Sequence, residues 1–346
     1  MSVPSTQKQW VITSGDKGFD GLVTQEGPVP KLGEHDVLVR LHAASLNYRD
    51  LAIAKGKYPF PLNLPVVAAS DGAGEVVEVG SRVTKWKKGD KVVTLFNQGH
   101  QYGELTAESI GTALGGMLEG TLRPYGAFPE TGLVRAPANL NHVEASTLSC
   151  AALTSWNALY GLKPLKPGEW VIVQGTGGVS LFALQFAKAA GAKVIATTSS
   201  AEKAETLKKL GADHVINYRE DPNWGTTARK LTTDQAGADH IIEVGGEYTM
   251  GQSLKAVKLG GIITLIGFLG GAKPKENVLE ALNNVCTLRG VFVGSREQME
   301  EMCRAIEAND IHPVVDQKVF PFAEAREAYE YMWAQKHFGK LCISIE

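Results

Sequence analysis

The sequence predicts an α/β protein with two domains: a doubly wound parallel-sheet domain that binds a dinucleotide, and a β-barrel-like domain ahead of it. Three observations carry this reading. A glycine turn, Gly175-Thr176-Gly177-Gly178-Val179-Ser180, separates a short apolar run from a segment of helical period. Strand-like and helix-like segments alternate from Trp170 to Val293. Before residue 150 the chain instead breaks into short β-branched runs punctuated by glycine and proline, the signature of a strand-rich unit.

Length and composition agree. A chain of 346 residues suggests two domains. A net charge of −2 and 44% hydrophobic residues describe an ordinary core, with no basic excess to bind nucleic acid. No run approaches the roughly 18 apolar residues of a membrane span. The opening MSVPSTQKQWVITSG lacks the apolar segment of a secretory signal. The four cysteines, at 150, 286, 303 and 342, are scattered without a C-x-x-C pair, which argues against a disulfide framework and a structural zinc site. The expectation is a reduced, cytoplasmic protein without nucleic-acid or membrane partners.

Taken in order, residues 37–41 read as a strand and residues 45–55 (SLNYRDLAIAK) as a short helix ended by Gly56. Pro59, Pro61 and Pro65 make the next stretch irregular. Residues 73–80 form a strand, and Gly89-Asp90 a tight turn before another. The segment 97–128 carries seven glycines and is too long for an ordinary loop, so it is either functional or mobile. Residues 142–149 and 151–162 read as helices, and 163–168 as a linker.

The nucleotide unit follows. Residues 170–173 are a buried strand, the glycine turn opens a helix that Gly191 ends, and residues 193–197 are the next strand. Such a βαβ unit offers the N–H groups of a helix N-terminus to a pyrophosphate. Ser180 replaces the third glycine of G-x-G-x-x-G, where a small residue suffices for helix-on-strand packing. Residues 239–244, 262–267 and 289–293 supply three further strands, with a helix at 250–259, and completing six with 215–217 makes a doubly wound sheet. Helices at 296–308 and 322–335 and a strand at 341–345 follow.

The second strand runs into Thr197-Thr198-Ser199-Ser200. An NAD site places an acid there, about 20 residues past the glycines, for the ribose 2′-hydroxyl. Here the nearest acid, Glu202, is past the turn, small hydroxyls such as Ser199 leave room for a 2′-phosphate, and Lys203 brings a charge. The expected cofactor is NADP.

The stretches AASLNYRDL (43–51), SDGAGEVVEVG (70–80), KKGDKVV (87–93), LTSWNAL (153–159), VQGTGGVS (173–180) and HFGKL (337–341) together resemble the medium-chain dehydrogenase/reductase superfamily over essentially the whole chain. The resemblance implies a GroES-like catalytic domain of residues 1–152 and 294–346 and a Rossmann NADP-binding domain of residues 153–293. It also implies a cleft for nicotinamide and substrate, and a possible homodimer through the last strands of the cofactor domain.

The family's alcohol dehydrogenases hold a catalytic zinc. Here the matching ligand positions carry Asn47, Ser70 and Asp71, and only Cys150 is retained. One cysteine cannot supply the three protein ligands of such a site, and the cysteine lobe is replaced by the 97–128 segment. No metal is therefore expected, and the chain looks like the zinc-independent quinone oxidoreductase and enone reductase branch. That branch implies Asn47 and Tyr58 in the substrate cleft, and Lys203 and Tyr218 at the adenosine phosphate. It implies Phe268 and Val291, Phe292 and Val293 at the nicotinamide carboxamide, Thr154 against the ring and Lys340 near the cofactor phosphates. Asn47 also reads as a helix cap, Tyr58 as a packing aromatic, and Asp50 as holding the barrel loop together or orienting Asn47 rather than as a base.

The expected reaction is hydride transfer from NADPH to a small carbonyl or quinone substrate, an α,β-unsaturated carbonyl included. Asn47, or the ribose hydroxyls of the cofactor, would hydrogen-bond the oxygen, and Tyr58 or water would supply the proton. Two other readings keep the fold: an alcohol dehydrogenase-like or tailoring enzyme, and a non-catalytic NADPH-binding protein.

Overall fold

The structure is a computed structural model describing residues 3–267, 276, 277 and 279–345. The chain divides into two compact units, residues 1–153 with 294–346, and residues 154–293.

In the first unit, β1 (Thr6–Ile12), β2 (Leu22–Pro28) and β4 (Val66–Val67) form a small antiparallel sheet. The larger sheet is built on β3 (Asp36–Leu46), which pairs with β5 (Asp71–Val79). It continues through β6 (Lys91–Thr94) and β8 (Leu133–Arg135), while β7 (Tyr125–Pro129) pairs with β3. Val37, Val39, Leu41, Val76, Val92, Phe128 and Leu133 pack with Trp10 and Ile12 into its core.

Strand β3 is longer than the sequence suggests, and the first helix shorter. Ser45 is held in the sheet between Asp71 and Cys342, so the helix α1 is only Tyr48–Ala54, with Asn47 as its N-cap. Pairing on both sides overrides the helical pattern of SLNYRDL. The glycine-rich 97–128 segment is packed: Leu114 and Leu122 lie in the core, and Leu122 N donates to Ala68 O at 3.0 Å.

In the second unit, β9 (Trp170–Gln174) is buried at every position. The sheet adds β10 (Lys193–Thr198), β11 (His214–Asn217), β12 (Ala238–Glu243), β13 (Val257–Leu265) and β14 (Thr287–Gly290). All are parallel, in the order β11-β10-β9-β12-β13-β14. This is the doubly wound order, whose switch point lies beside the first strand and its glycine turn. Helices α2 (Gly178–Ala189) and α3 (Ala201–Lys209) connect the first three strands. The expected helix at 250–259 ends at Ala256, because buried Val257 already pairs with Ala238 as the first residue of β13.

The chain then returns to the first unit. There β15 (Phe320–Pro321) pairs with β16 (Leu341–Ser344), which lies antiparallel to β3. Among the described residues no helix is long and apolar enough to cross a membrane.

Candidate active site

The turn after β9 is shaped by two glycines with different duties. Gly175 has φ +74°, a left-handed backbone that glycine adopts without penalty. Gly177 is the N-cap of α2, with φ −78° and ψ 166°, which any residue could adopt. A Cβ on either would meet nothing within 4 Å, so the space above the turn is open. Ser180, at the third glycine position, donates to Gln174 O at 2.6 Å and closes helix onto strand. The first N–H groups of α2 have no partner within the helix, an arrangement that favours an anion.

A short helix, Leu153–Tyr160, ties this turn to the end of the unit. Ser155 donates to Val179 O at 2.7 Å, and Asn157 Nδ2 donates to Val293 O at 2.7 Å. Thr154, 4% exposed, begins between these anchors. The structure thereby brings Thr154, Gly175 to Val179 and Val291 to Val293 together. Phe268 lies outside the described residues.

At the end of β10, Ser200 Oγ caps α3 by accepting from Lys203 N. Tyr218 N donates to Thr198 O at 3.0 Å, so Ser199, Lys203 and Tyr218 share one corner. Arg219, which no local motif marks, follows Tyr218 on the exposed side. A second omission is the pair beneath the strand ends. Gln174 Nε2 donates to Glu243 at 2.8 Å, and Glu243 also accepts from Gly245 N, Gly246 N, Thr249 and Ser253. That buried carboxylate fixes the turn after β12. Its only sequence signal is an acid ending an apolar strand.

In the first unit, Asn47 and Tyr58 gather around Arg49 and Asp50. Asp50 accepts from Asn47 N at 2.8 Å and from Arg49 Nη1 at 3.0 Å. Arg49 Nη1 also donates to Leu114 O, and its guanidinium lies 5.3 Å from the Tyr58 ring centre. Burial pushes the Asp50 carboxyl up to about 6, against the pull of Arg49. Burial likewise raises the Tyr58 phenol, again opposed by Arg49, so Tyr58 keeps its proton at neutral pH.

Lys340 is placed here too. It is 3% exposed, and Nζ donates to Leu46 O at 2.8 Å and to Asn47 Oδ1 at 2.6 Å. Asp71 Oδ2 lies 3.6 Å away, while Asp71 Oδ1 accepts from Ser70 at 2.7 Å. Asn47 Nδ2 is buried without a hydrogen-bond partner.

These residues do not fit a metal. The amide oxygen of Asn47 and the Asp71 carboxylate already face an ammonium, whose charge repels a cation at the same oxygens. Burial, with the charge of Asp71, pushes the Cys150 thiol above its ordinary value. Among the described residues no group of three or more His, Cys, Asp or Glu could hold a metal ion.

Two family models match the chain: the zinc-binding dehydrogenase family over residues 178–308 and the alcohol dehydrogenase GroES-like domain over residues 33–138. A zinc-type alcohol dehydrogenase-like protein of Schizosaccharomyces pombe is 49% identical over 98% of this chain and 99% of its own. The crystal structure of an NAD-dependent alcohol dehydrogenase superposes with a TM-score of 0.88 at 31% identity, covering 98% of this chain and 100% of that one. The 2-octenoyl-CoA carboxylase reductase CinF from Streptomyces, solved with NADP and 2-octenoyl-CoA, gives a TM-score of 0.87 at 26% identity, covering 99% of this chain and 88% of its own. With both halves of the fold and nearly the full length matched, the chain belongs to the medium-chain dehydrogenase/reductase superfamily of oxidoreductases.

Proposed function

We propose that this protein is a zinc-independent, NADP(H)-dependent oxidoreductase that passes hydride to an electron-poor carbon conjugated to a carbonyl, in an enone or a quinone. The observation that carries it is Asn47 Nδ2, a buried donor without a partner on a side chain 8% exposed. A carbonyl oxygen satisfies such a donor, and the bond strengthens as enolate charge develops. NADPH supplies the hydride. The chain's residues bind, orient and polarise, and Tyr58, beside the Arg49 guanidinium, is the proposed proton donor. The cofactor reading rests on the absence of an acid at the end of β10 and on Lys203, with Arg219 as an added cation. The relatives include an NAD-dependent and an NADP-bound protein, so this chain's own corner decides.

The names of the relatives, taken alone, weigh towards a second reading: alcohol dehydrogenase-like interconversion of an alcohol and a simple carbonyl. Reduction of an isolated carbonyl builds an alkoxide, far more basic than an enolate. A Lewis acid such as zinc stabilises that charge most directly, and the cluster of Asn47, Asp71 and Lys340 does not fit a metal. The edge strand β14, with exposed Leu279, Leu282 and Val285 nearby, supports pairing with a second copy.

The test is NADPH oxidation by chelator-treated protein against enones, quinones, aldehydes and ketones, beside Asn47→Ala. Turnover on conjugated acceptors that falls about 100-fold in Asn47→Ala supports the first reading. Activity confined to alcohols and aldehydes and restored by stoichiometric zinc establishes the second.

A further inference from the structure

Lys340 stands 293 residues from Asn47, yet its ammonium makes its shortest contact with that side chain. The carboxylate of Asp71 is a full ångström further away. An ammonium has donors only, so the amide atom 2.6 Å from it is the oxygen. The opposite atom of the same amide is then the N–H donor, and it is the one left without a partner.

We propose that Lys340 is a positioning residue that locks Asn47 as a hydrogen-bond donor to a substrate carbonyl oxygen. It supplies in covalent form the positive charge that a metal ion brings to the zinc enzymes of this fold. The inference rests on the carbonyl reading above. A bond from a cation to the amide oxygen draws electron density from the nitrogen, and so strengthens the N–H that faces the substrate. The buried charge also favours a developing enolate, and the low dielectric of the surroundings enlarges that effect. Lys340 Nζ has three hydrogens. Two are given to Leu46 O and Asn47 Oδ1, and the third faces Asp71. That arrangement leaves no donor for a cofactor phosphate, the role that the family resemblance implies for this lysine.

The experiment is a double-mutant cycle between Lys340→Met and Asn47→Ala, reading kcat and KM for the acceptor and the Kd of NADPH by its fluorescence. If Lys340 acts through Asn47, Lys340→Met alone lowers kcat at least about tenfold, a charge-assisted bond's worth, with NADPH affinity unchanged. In the Asn47→Ala background the same change then adds less than about twofold, within the scatter of additive sites. Losses that multiply, or a raised NADPH Kd with kcat intact, overturn the proposal. Where loss of the ammonium beside Asp71 prevents folding, Lys340→Met with Asp71→Asn keeps the site neutral and carries the same readouts. A second readout needs no turnover: the ¹H–¹⁵N signal of the Lys340 ammonium in lysine-labelled protein. An Asn47→Ala shift of that signal shows the pairing even if every acceptor fails, which would sink the carbonyl reading instead. An unmoved signal overturns the proposal itself.

Discussion

Asn157 donates through Nδ2 to the carbonyl of Val293 at 2.7 Å, and Val293 holds a left-handed backbone at φ +57°. A β-branched residue there is strained by about 1–3 kcal/mol, and such strain persists only where neighbours over-determine it. Arg289 completes the clamp by donating to both Asn157 O and Oδ1 at 2.8 Å. Asn157→Ala should cost about 1–3 kcal/mol, since it strands two partners, and should weaken NADPH as the 291–293 segment loses its anchor. Val293→Gly should be nearly neutral in stability. Loss of a side chain only 5% exposed costs about 1.5–3 kcal/mol, and the relieved strain offsets much of it. Urea unfolding of the two variants checks both; a larger loss in Val293→Gly than in Asn157→Ala would contradict the strain argument.

Gly177 separates folding from binding. Its backbone suits alanine and a Cβ there meets nothing, so Gly177→Ala should fold with stability within about 1 kcal/mol of the parent. The new methyl occupies space a pyrophosphate would enter, and NADPH affinity should fall at least roughly tenfold by loss of close backbone approach. Gly175→Ala is the contrast, since φ +74° makes it strained in the empty protein as well. Equal NADPH affinity in Gly177→Ala and parent would place the cofactor elsewhere.

Some of this was legible in the chain and some was not, for physical reasons. The β9–turn–α2 unit declares itself because local forces decide it: five consecutive buried residues, a glycine turn and a helical period. The start of α1 is hidden from the local pattern because Ser45 answers to partners at 71 and 342, and long-range pairing leaves no mark there. The same holds for the site. Asn47 stands out as a polar residue at a recognisable position, but its orientation is set by Lys340 from the far end of the chain. The Gln174–Glu243 bond joins two strand ends that only the sheet order makes neighbours.

Cofactor choice should be reversible at one corner. Ser199 and Lys203 lie on either side of the α3 cap, and Tyr218 N reaches Thr198 O beside them. Lys203→Ala should weaken NADPH roughly tenfold and leave NADH unchanged, as expected for loss of a contact to a charged phosphate. Adding Ser199→Asp supplies a carboxylate for a ribose 2′-hydroxyl and repels a 2′-phosphate, so the double variant should prefer NADH. Parallel titrations with both nucleotides read this directly. A parent that already prefers NADH would overturn the assignment of this corner.

Asp50 gives the barrel domain a pH dependence of definite sign. Its carboxyl is fully buried and pushed up to about 6, while an unfolded aspartate titrates near its ordinary value of about 3.9. The native state therefore holds this proton more tightly. The stabilisation from protonated Asp50 is complete below about pH 3.9 and is lost as pH rises through about 6. Asp50→Asn keeps the shape without the titration, though its amide replaces one acceptor for Asn47 N or Arg49 by a donor. The stability difference, parent minus variant, should shrink by about 2 kcal/mol from about pH 4.5 to about pH 7.5. Most of that change should fall before about pH 6.5. Urea unfolding at intervals across this range measures it. A difference that grows with pH would mean that the ion pair with Arg49 outweighs desolvation, and that Asp50 is an ordinary ionised carboxylate in the folded protein.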